Sequence, residues 1–289
     1  MSFEVTMLGT SAGTPTAERN LAGIAVRRDG DLILLDCGEG TQRQMMRFGL
    51  SYMKVKAIFI THLHLDHFLG VFGLVETMAL NGRTEKLILY GPKGSKAVFN
   101  KKEFLEIVEL GGPGAVADFG EFSVSAFVTE HAPGSFGYTI EEKERLRFHE
   151  EKAHAAGLKG PMFREIQEKG ELKIGKKKVL LKSITYKQAG KKLVYTGDTA
   201  PCAAVAKAAK GADLLIHEST FAEDKKDEAK EAHHSTAAQA ATAAKKAGCK
   251  KLLLTHISGR YRDTSPLLDE AKKIFPSSLV AVDGMKLEI

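Results

Sequence analysis

The stretch "AIFITHLHLDHFLG", residues 57–70, decides the fold. Its apolar start, Ala57–Ile60, reads as a short buried strand. His62, His64, Asp66 and His67 follow at once. A lone histidine there reads as a satisfied core or surface residue. Four such side chains do not, because burying each is costly unless it finds a partner. In a loop after a strand, residues two apart share a side, so His62 and His64 can grip one metal ion. Asp66 and His67 turn away and can hold a second ion beside it. Asp66 also precedes the apolar-periodic "HFLGVFGLVETMAL", which predicts one helix with Asp66 near its N-cap. Ligand density of this kind points to metal.

Working outward, the runs "FEVTMLG", "DLILLDCG", "KAIFITH", "KLILYG", "FSVSAFVTEH", "KLVYTGD", "DLLIHE" and "KLLLTH" read as strands. Helical patterns lie between several of them, including "GTQRQMMRFG", "PCAAVAKAAKG", "STAAQAATAAKKAG" and "PLLDEAKKIF". Strands mixed with covering helices predict an α/β layered fold. Further strand ends deliver His131, Asp198, His217 with Glu218, and His256. In open α/β structures ligands gather outside the carboxyl ends of strands, so these ends point to one converged site. "AIFITHLH" and "KLLLTHIS" form a weak internal repeat that suggests two halves of one architecture.

Residues 141–180 break the pattern. They are highly charged and poor in large apolar side chains, and they lie between two strand signals. They read as a surface insertion within a single domain spanning 1–289, helical at first and punctuated by Gly160-Pro161. His149 and His154 lie in it and read as surface residues. From Lys173 to Lys192 there are eight lysines and no acidic residue. The formal net charge of +6 is a mild hint of a polyanionic partner.

No apolar run approaches the roughly 18 residues of a membrane helix, and the N-terminus lacks a signal-peptide layout. The expectation is therefore no membrane and a cytoplasmic location. Cys37, Cys202 and Cys249 are odd in number and far apart, which suggests a reducing compartment and no disulfides. With no Cys-x-x-Cys, any metal sits on histidine and carboxylate. The candidates are His62, His64, Asp66, His67, His131, Asp198 and His256. Seven are too many for one catalytic ion with an open position. Two ions sharing a carboxylate use them all and suit phosphoryl displacement.

The motif "THLHLDH" resembles the signature of the metallo-β-lactamase superfamily. "LGTSAGTPTAERN", "LLDCGEGTQRQM", "HAPGSFGY", "YTGDTAPC", "LLIHESTF", "HSTAAQAA" and "LTHISGRY" narrow the resemblance to the ribonuclease Z family, the tRNA 3′-end processing endonucleases. They occur in the family's order and cover nearly the whole chain. The resemblance implies a four-layer αβ/βα sandwich with an inserted arm that binds the tRNA elbow. Segment 141–180 stands in that place, and Gly160-Pro161 matches the arm's Gly-Pro feature. The resemblance further implies that His62, His64 and His131 hold one zinc, that Asp66, His67 and His256 hold the other, and that Asp198 bridges them. Mn2+ or another divalent metal is the alternative. Asp66 is expected to act as general base on water. Glu218 of "HEST" is expected to orient His234 of "HHST", which protonates the leaving oxygen. His233 competes for that role, but the spacing to Ser-Thr favours His234. Arg260 of "SGRY" is expected to contact phosphate. Precursor tRNA is the expected partner, cut 3′ of the discriminator nucleotide, and the family implies a homodimer. Leu65, where many members carry glycine, narrows the approach to the metals. Ser219 and Gly259 are departures that supply no ligand.

"GPKGSK", residues 91–96, lacks Walker spacing and reads as a strand-to-helix turn. Asp36 reads as a partner that orients a ligand histidine. Two other functions compete. One is a small-molecule hydrolase on the same fold, such as a cyclic-nucleotide phosphodiesterase or an arylsulfatase, which needs neither arm nor lysine run. The other is a non-catalytic RNA-binding protein, which needs no full ligand set.

Overall fold

The computed structural model describes residues 3–99 and 102–289. The chain divides into two compact units, one built from residues up to Glu141 together with Lys191–Ile289, the other from Glu142–Gly190.

The larger unit holds two seven-stranded sheets. In spatial order the first contains Lys286–Glu288, Glu4–Gly9, Gly23–Arg28, Asp31–Cys37, Val55–Phe59, Leu87–Gly91 and Leu105–Glu109. The second contains Ser278–Val280, Leu252–Thr255, Leu214–Glu218, Lys192–Tyr195, Phe136–Glu142, Phe122–Val128 and Gly114–Asp118. Strand alternation sorts their side chains into layers. Ile33 and Leu35 enter the core between the sheets, while Leu32 and Leu34 face the covering helices. Leu214 and Ile216 likewise face the other sheet and Leu215 faces helices. The same alternation puts Glu218 and His217 on opposite faces of their strand. Helices Thr41–Arg47 and Gly70–Leu80 cover the first sheet, and Ala237–Ala247 and Ser265–Ile274 cover the second. Ala237, Ala240, Ala241 and Ala244 are fully buried at helical spacing, so small side chains let that helix lie close to its sheet. The layering is the expected αβ/βα sandwich.

Val55–Phe59 pairs in parallel with both its neighbours, and so does Leu214–Glu218. Parallel strands end on the same sheet edge, and that edge is where the ligand-type residues emerge.

The helix predicted from Asp66 onward forms, with His64 as N-cap and Asp66 in the first turn; it runs as Leu65–Phe68 and Gly70–Leu80, and Leu69 between them keeps right-handed helical backbone at φ −58° and ψ −29°. Its start packs closely against the backbone of the turn after Asp31–Cys37. A Cβ on Gly70 would lie 2.0 Å from the Gly38 carbonyl oxygen, and one on Gly38 would lie 2.3 Å from that of Asp66. The inserted segment runs to Gly190 rather than to residue 180, and it opens with a strand, not a helix. Arg145–Phe148 pairs with Thr185–Gln188, which lies beyond the predicted boundary. Ala153, Leu158, Ile166, Val179 and Ile184 give this unit a small core of its own. Gly160 and Pro161 are exposed and lead into helix Met162–Lys169. The "GPKGSK" turn is a strand-to-helix connection whose backbone amides at Gly94 and Lys96 donate to Glu109. Among the described residues no helix is long and apolar enough to cross a membrane. All three cysteines are free thiols.

Candidate metal centre

Loops and the short helix Leu65–Phe68 after the strand ends bring the seven predicted ligands together. His62, His64, His131 and Asp198 form one group, and Asp66, His67 and His256 form another, with the donor atoms within 4.8 Å of one another in each. Asp198 lies at the junction. Its Oδ2 is 3.7 Å from His62 Nε2 and 3.2 Å from His67 Nε2, and its Oδ1 is 3.4 Å from His256 Nε2.

Hydrogen bonds on the far side of each ring aim the histidines. His67 Nδ1 donates to Asp36 Oδ2 at 2.8 Å. His131 Nδ1 donates to the His233 carbonyl at 3.0 Å. His62 Nδ1 meets the Thr61 hydroxyl at 3.0 Å, and His256 Nδ1 meets the Thr220 hydroxyl at 2.9 Å. These contacts leave Nε2 as the free nitrogen on all four rings. His64 instead turns Nδ1 inward, 3.1 Å from His131 Nε2. Nitrogens facing one another at such distances fit a cation between them. His62 Nε2 and Asp198 Oδ1 are also buried without a hydrogen-bond partner. This donor set of imidazole and carboxylate therefore fits divalent metal.

The Asp36 position predicted from "LLDCGEG" is the hub behind this arrangement. Its buried carboxylate accepts from His67, from the Thr61 amide and hydroxyl, and from the Tyr195 hydroxyl at 2.8 Å. Asp36, His233 and His256 all adopt left-handed backbone, with φ of 56°, 55° and 56°. Non-glycine residues rarely do so, and the cost is accepted where a site requires it.

Beside the cation site, His234 Nδ1 donates to Glu218 Oε1 at 2.7 Å. Burial alone would lower the His234 pKa, but the Glu218 carboxylate outweighs it and raises the value to about 9. Burial likewise opposes ionisation of Glu218, and His234 outweighs it to hold the carboxyl below its usual range. Asp66 and Asp198 are also held low against burial by the neighbouring histidines. His233 is exposed, and its carbonyl rather than its ring enters the site. Arg260 lies over the Phe221 ring at 4.9 Å and pairs with Glu228 at 2.8 Å. Leu65 is 63 % exposed. His149 and His154 do not join the cluster.

Reading the sequence missed Thr61, Tyr195, Thr220 and the His233 carbonyl. All four sit inside stretches already marked by chemistry, "THLHLDH", "YTGDTAPC", "HEST" and "HHST". They act through atoms that every threonine, tyrosine or peptide carries.

Two facing mixed sheets, with a histidine–aspartate cation site at their edge, define a protein of the metallo-β-lactamase fold. Comparisons agree. A family model described as "Beta-lactamase superfamily domain" matches residues 166–257, and one described as "Anti-Pycsar protein Apyc1" matches residues 3–148. The metallo-β-lactamase fold protein YhfI from Bacillus subtilis superposes with a TM-score of 0.76 at 21 % identity, covering 100 % of this chain and 99 % of that one, which speaks for the fold alone. Ribonuclease Z of Methanosarcina acetivorans is 43 % identical over 99 % of this chain and 98 % of its own. That of Archaeoglobus fulgidus is 44 % identical over 100 % of this chain and 98 % of its own. The structure of human tRNase Z, short form, matches with a TM-score of 0.72 at 29 % identity, covering 98 % of each chain. The chain belongs to the ribonuclease Z family.

Proposed function

We propose that this protein is a zinc-dependent endoribonuclease that cuts precursor tRNA 3′ of the discriminator nucleotide. The cut leaves a 3′-hydroxyl on the tRNA and a 5′-phosphate on the trailer. The observation that carries the reading is a cation site beside a carboxylate–imidazole couple, buried Glu218 with half-buried His234, on the same sheet edge. His62, His64 and His131 would hold one ion, Asp66, His67 and His256 the other, and Asp198 would serve both. Zinc, or Mn2+ in its place, would stabilise charge on the phosphate and ease the ionisation of water. Asp66, kept ionised by its histidine neighbours, takes the proton of the attacking water. His234, kept protonated by Glu218, delivers a proton to the departing 3′ oxygen. General acid catalysis of this kind is worth about 10²–10⁴-fold. Arg260 exchanges its Glu228 carboxylate for a substrate phosphate, since guanidinium binds either in the same way.

The unit Glu142–Gly190 acts as the arm that grips the tRNA body. Exposed Lys173, Lys176, Lys177 and Lys182, with the Gly160-Pro161 turn, support this role. The enzyme works in the cytoplasm as a homodimer. Met46, Leu65, Leu69, Phe72 and Leu80 are apolar yet exposed on helices Thr41–Arg47, Leu65–Phe68 and Gly70–Leu80 and at the residue joining the last two, as a second copy would require.

The test is incubation with end-labelled precursor tRNA, with and without chelator, mapping the cut to the nucleotide. Cleavage at the discriminator that chelator abolishes supports the reading. Hydrolysis of small phosphodiesters with no tRNA cleavage would favour the small-molecule hydrolase instead.

A further inference from the structure

We propose that Thr220 is a positioning residue that couples the metal ligand His256 to the proton-donating pair Glu218–His234. The inference rests on the reading above for the roles of those residues. Its own basis is one buried hydroxyl. Thr220 Oγ1 lies 2.7 Å from Glu218 Oε2 and 2.9 Å from His256 Nδ1. Glu218 is held ionised, and a carboxylate can only accept, so the hydroxyl proton points to Glu218. The hydroxyl oxygen must then accept from His256 Nδ1–H. That bond selects one tautomer of His256 and leaves Nε2 free. Nε2 is the atom that faces Asp66 Oδ2 at 3.3 Å and Asp198 Oδ1 at 3.4 Å.

The other oxygen of Glu218 is already engaged. Oε1 accepts from His234 Nδ1 at 2.7 Å and from the Thr199 amide at 2.9 Å. The Thr220 amide adds a weaker contact to Oε2 at 3.2 Å. Glu218 and His256 are buried, as is Thr220, so water does not readily replace the hydroxyl. A continuous path results, from His256 Nδ1–H to Thr220, from Thr220 to Glu218, and from His234 back to Glu218. On the opposite side, the carbonyl of His233, the residue before His234, accepts from His131. The loops carrying the acid are thus hydrogen-bonded to one histidine from each ligand group. Loss of the Thr220 hydroxyl frees His256 to turn or change tautomer, and leaves Glu218 one donor short. Metal affinity and proton donation should therefore fall together.

The experiment compares Thr220→Val, which keeps the shape and removes the hydroxyl, with Thr220→Ser, which keeps the hydroxyl. Zinc affinity of the full chain is read without RNA, by competition with a chromophoric chelator. Turnover is read at saturating zinc on precursor tRNA and on bis-p-nitrophenyl phosphate. Thr220→Val should weaken one of the two zinc-binding steps by about 10–100-fold, the usual effect of losing a partner behind a ligand. It should lower kcat on precursor tRNA by a similar factor while leaving KM nearly unchanged, and Thr220→Ser should restore both. In a His234→Ala background, Thr220→Val should cause no further loss of kcat yet still weaken zinc. Unchanged zinc affinity in a folded Thr220→Val variant would overturn the proposal. So would a Thr220→Ser variant as impaired as Thr220→Val, or full additivity with His234→Ala. If Thr220→Val does not fold, Thr220→Ala against Thr220→Ser gives the same comparison. The zinc arm involves no RNA, so failure of the tRNA assignment and failure of this coupling are read separately.

Discussion

His234 feels two opposed influences, and the outcome sets its chemistry. Burial disfavours the charged ring, and the Glu218 carboxylate at 2.7 Å more than offsets this, giving a pKa of about 9. A proton donor must be protonated to act, so activity should fall as pH rises through that value. Glu218→Gln removes the cause of the rise, and the alkaline limb of the kcat profile should move to lower pH with a modest loss of rate. His234→Ala should cut kcat by about 10²–10⁴-fold and leave zinc content and RNA affinity nearly intact. A larger loss in His233→Ala than in His234→Ala would reverse the assignment of the acid. His233→Gly should be well tolerated, because its φ of 55° suits glycine and its carbonyl, not its ring, is used. At Asp198, a carboxylate close to histidines of both groups, Asp198→Ala should abolish binding of both ions. Elemental analysis of the zinc-loaded parent should approach two per chain, and of the variant, zero.

Elements hold these residues through close backbone contacts. The segment bearing Asp66 and His67 lies against the "LLDCGEG" turn, where Gly38 and Gly70 touch across a gap too small for a methyl group. Gly70→Ala should force the two apart. Overpacking of this kind costs about 1–3 kcal/mol, visible in denaturant melts. It should also lower zinc affinity, because Asp66 and His67 ride on the displaced turn. Normal zinc binding in a destabilised Gly70→Ala variant would show that the turn adapts without moving the ligands. On the other sheet, Thr236 caps helix Ala237–Ala247 in a reciprocal capping box with Gln239 and also donates to Glu223. This cap follows His234 by two residues, so helix stability and acid placement are joined. Thr236→Ala should cost about 1 kcal/mol and lower kcat more than KM.

At the scale of the whole molecule, the two compact units invite separation. Glu142 and Gly190 bound the smaller unit and are adjacent, since a Cβ on Gly190 would lie 2.1 Å from the Glu142 carbonyl oxygen. A short Gly/Ser linker in place of residues 143–189 can therefore join them without pulling on the strands. The small core of this unit leaves with it, so the sandwich keeps its own packing. This variant should retain zinc and hydrolyse bis-p-nitrophenyl phosphate, and it should fail on precursor tRNA at ordinary concentrations. RNA binding should also lose salt dependence, by a log–log slope of about 0.7–0.9 for each phosphate contact removed. Undiminished tRNA cleavage would remove the arm from the binding surface. For the dimer, Leu69→Glu with Phe72→Glu should yield a monomer by light scattering, and an unchanged mass would place the interface elsewhere.

The linear chain carried the ligand inventory, because five imidazoles and two carboxylates stand at the ends of apolar runs in a pattern that core packing does not explain. It also carried the layering, because apolar runs such as "DLILLDC" recur between helical patterns such as "STAAQAATAAKKAG". It did not carry the close approach of Gly70 to Gly38, the left-handed backbone at Asp36, His233 and His256, or the extent of the inserted unit. Those depend on contacts between residues far apart in sequence: Gly38 against Gly70, and Arg145–Phe148 against Thr185–Gln188. Nor did it single out His234 over its neighbour by more than spacing. Only the folded chain brings Glu218 and Thr220, a strand end and the loop after it, against the ring of His234 and behind that of His256. The residue types set which chemistry is available. Burial and hydrogen bonding between distant segments decide which atoms carry the protons and which are left to face a cation.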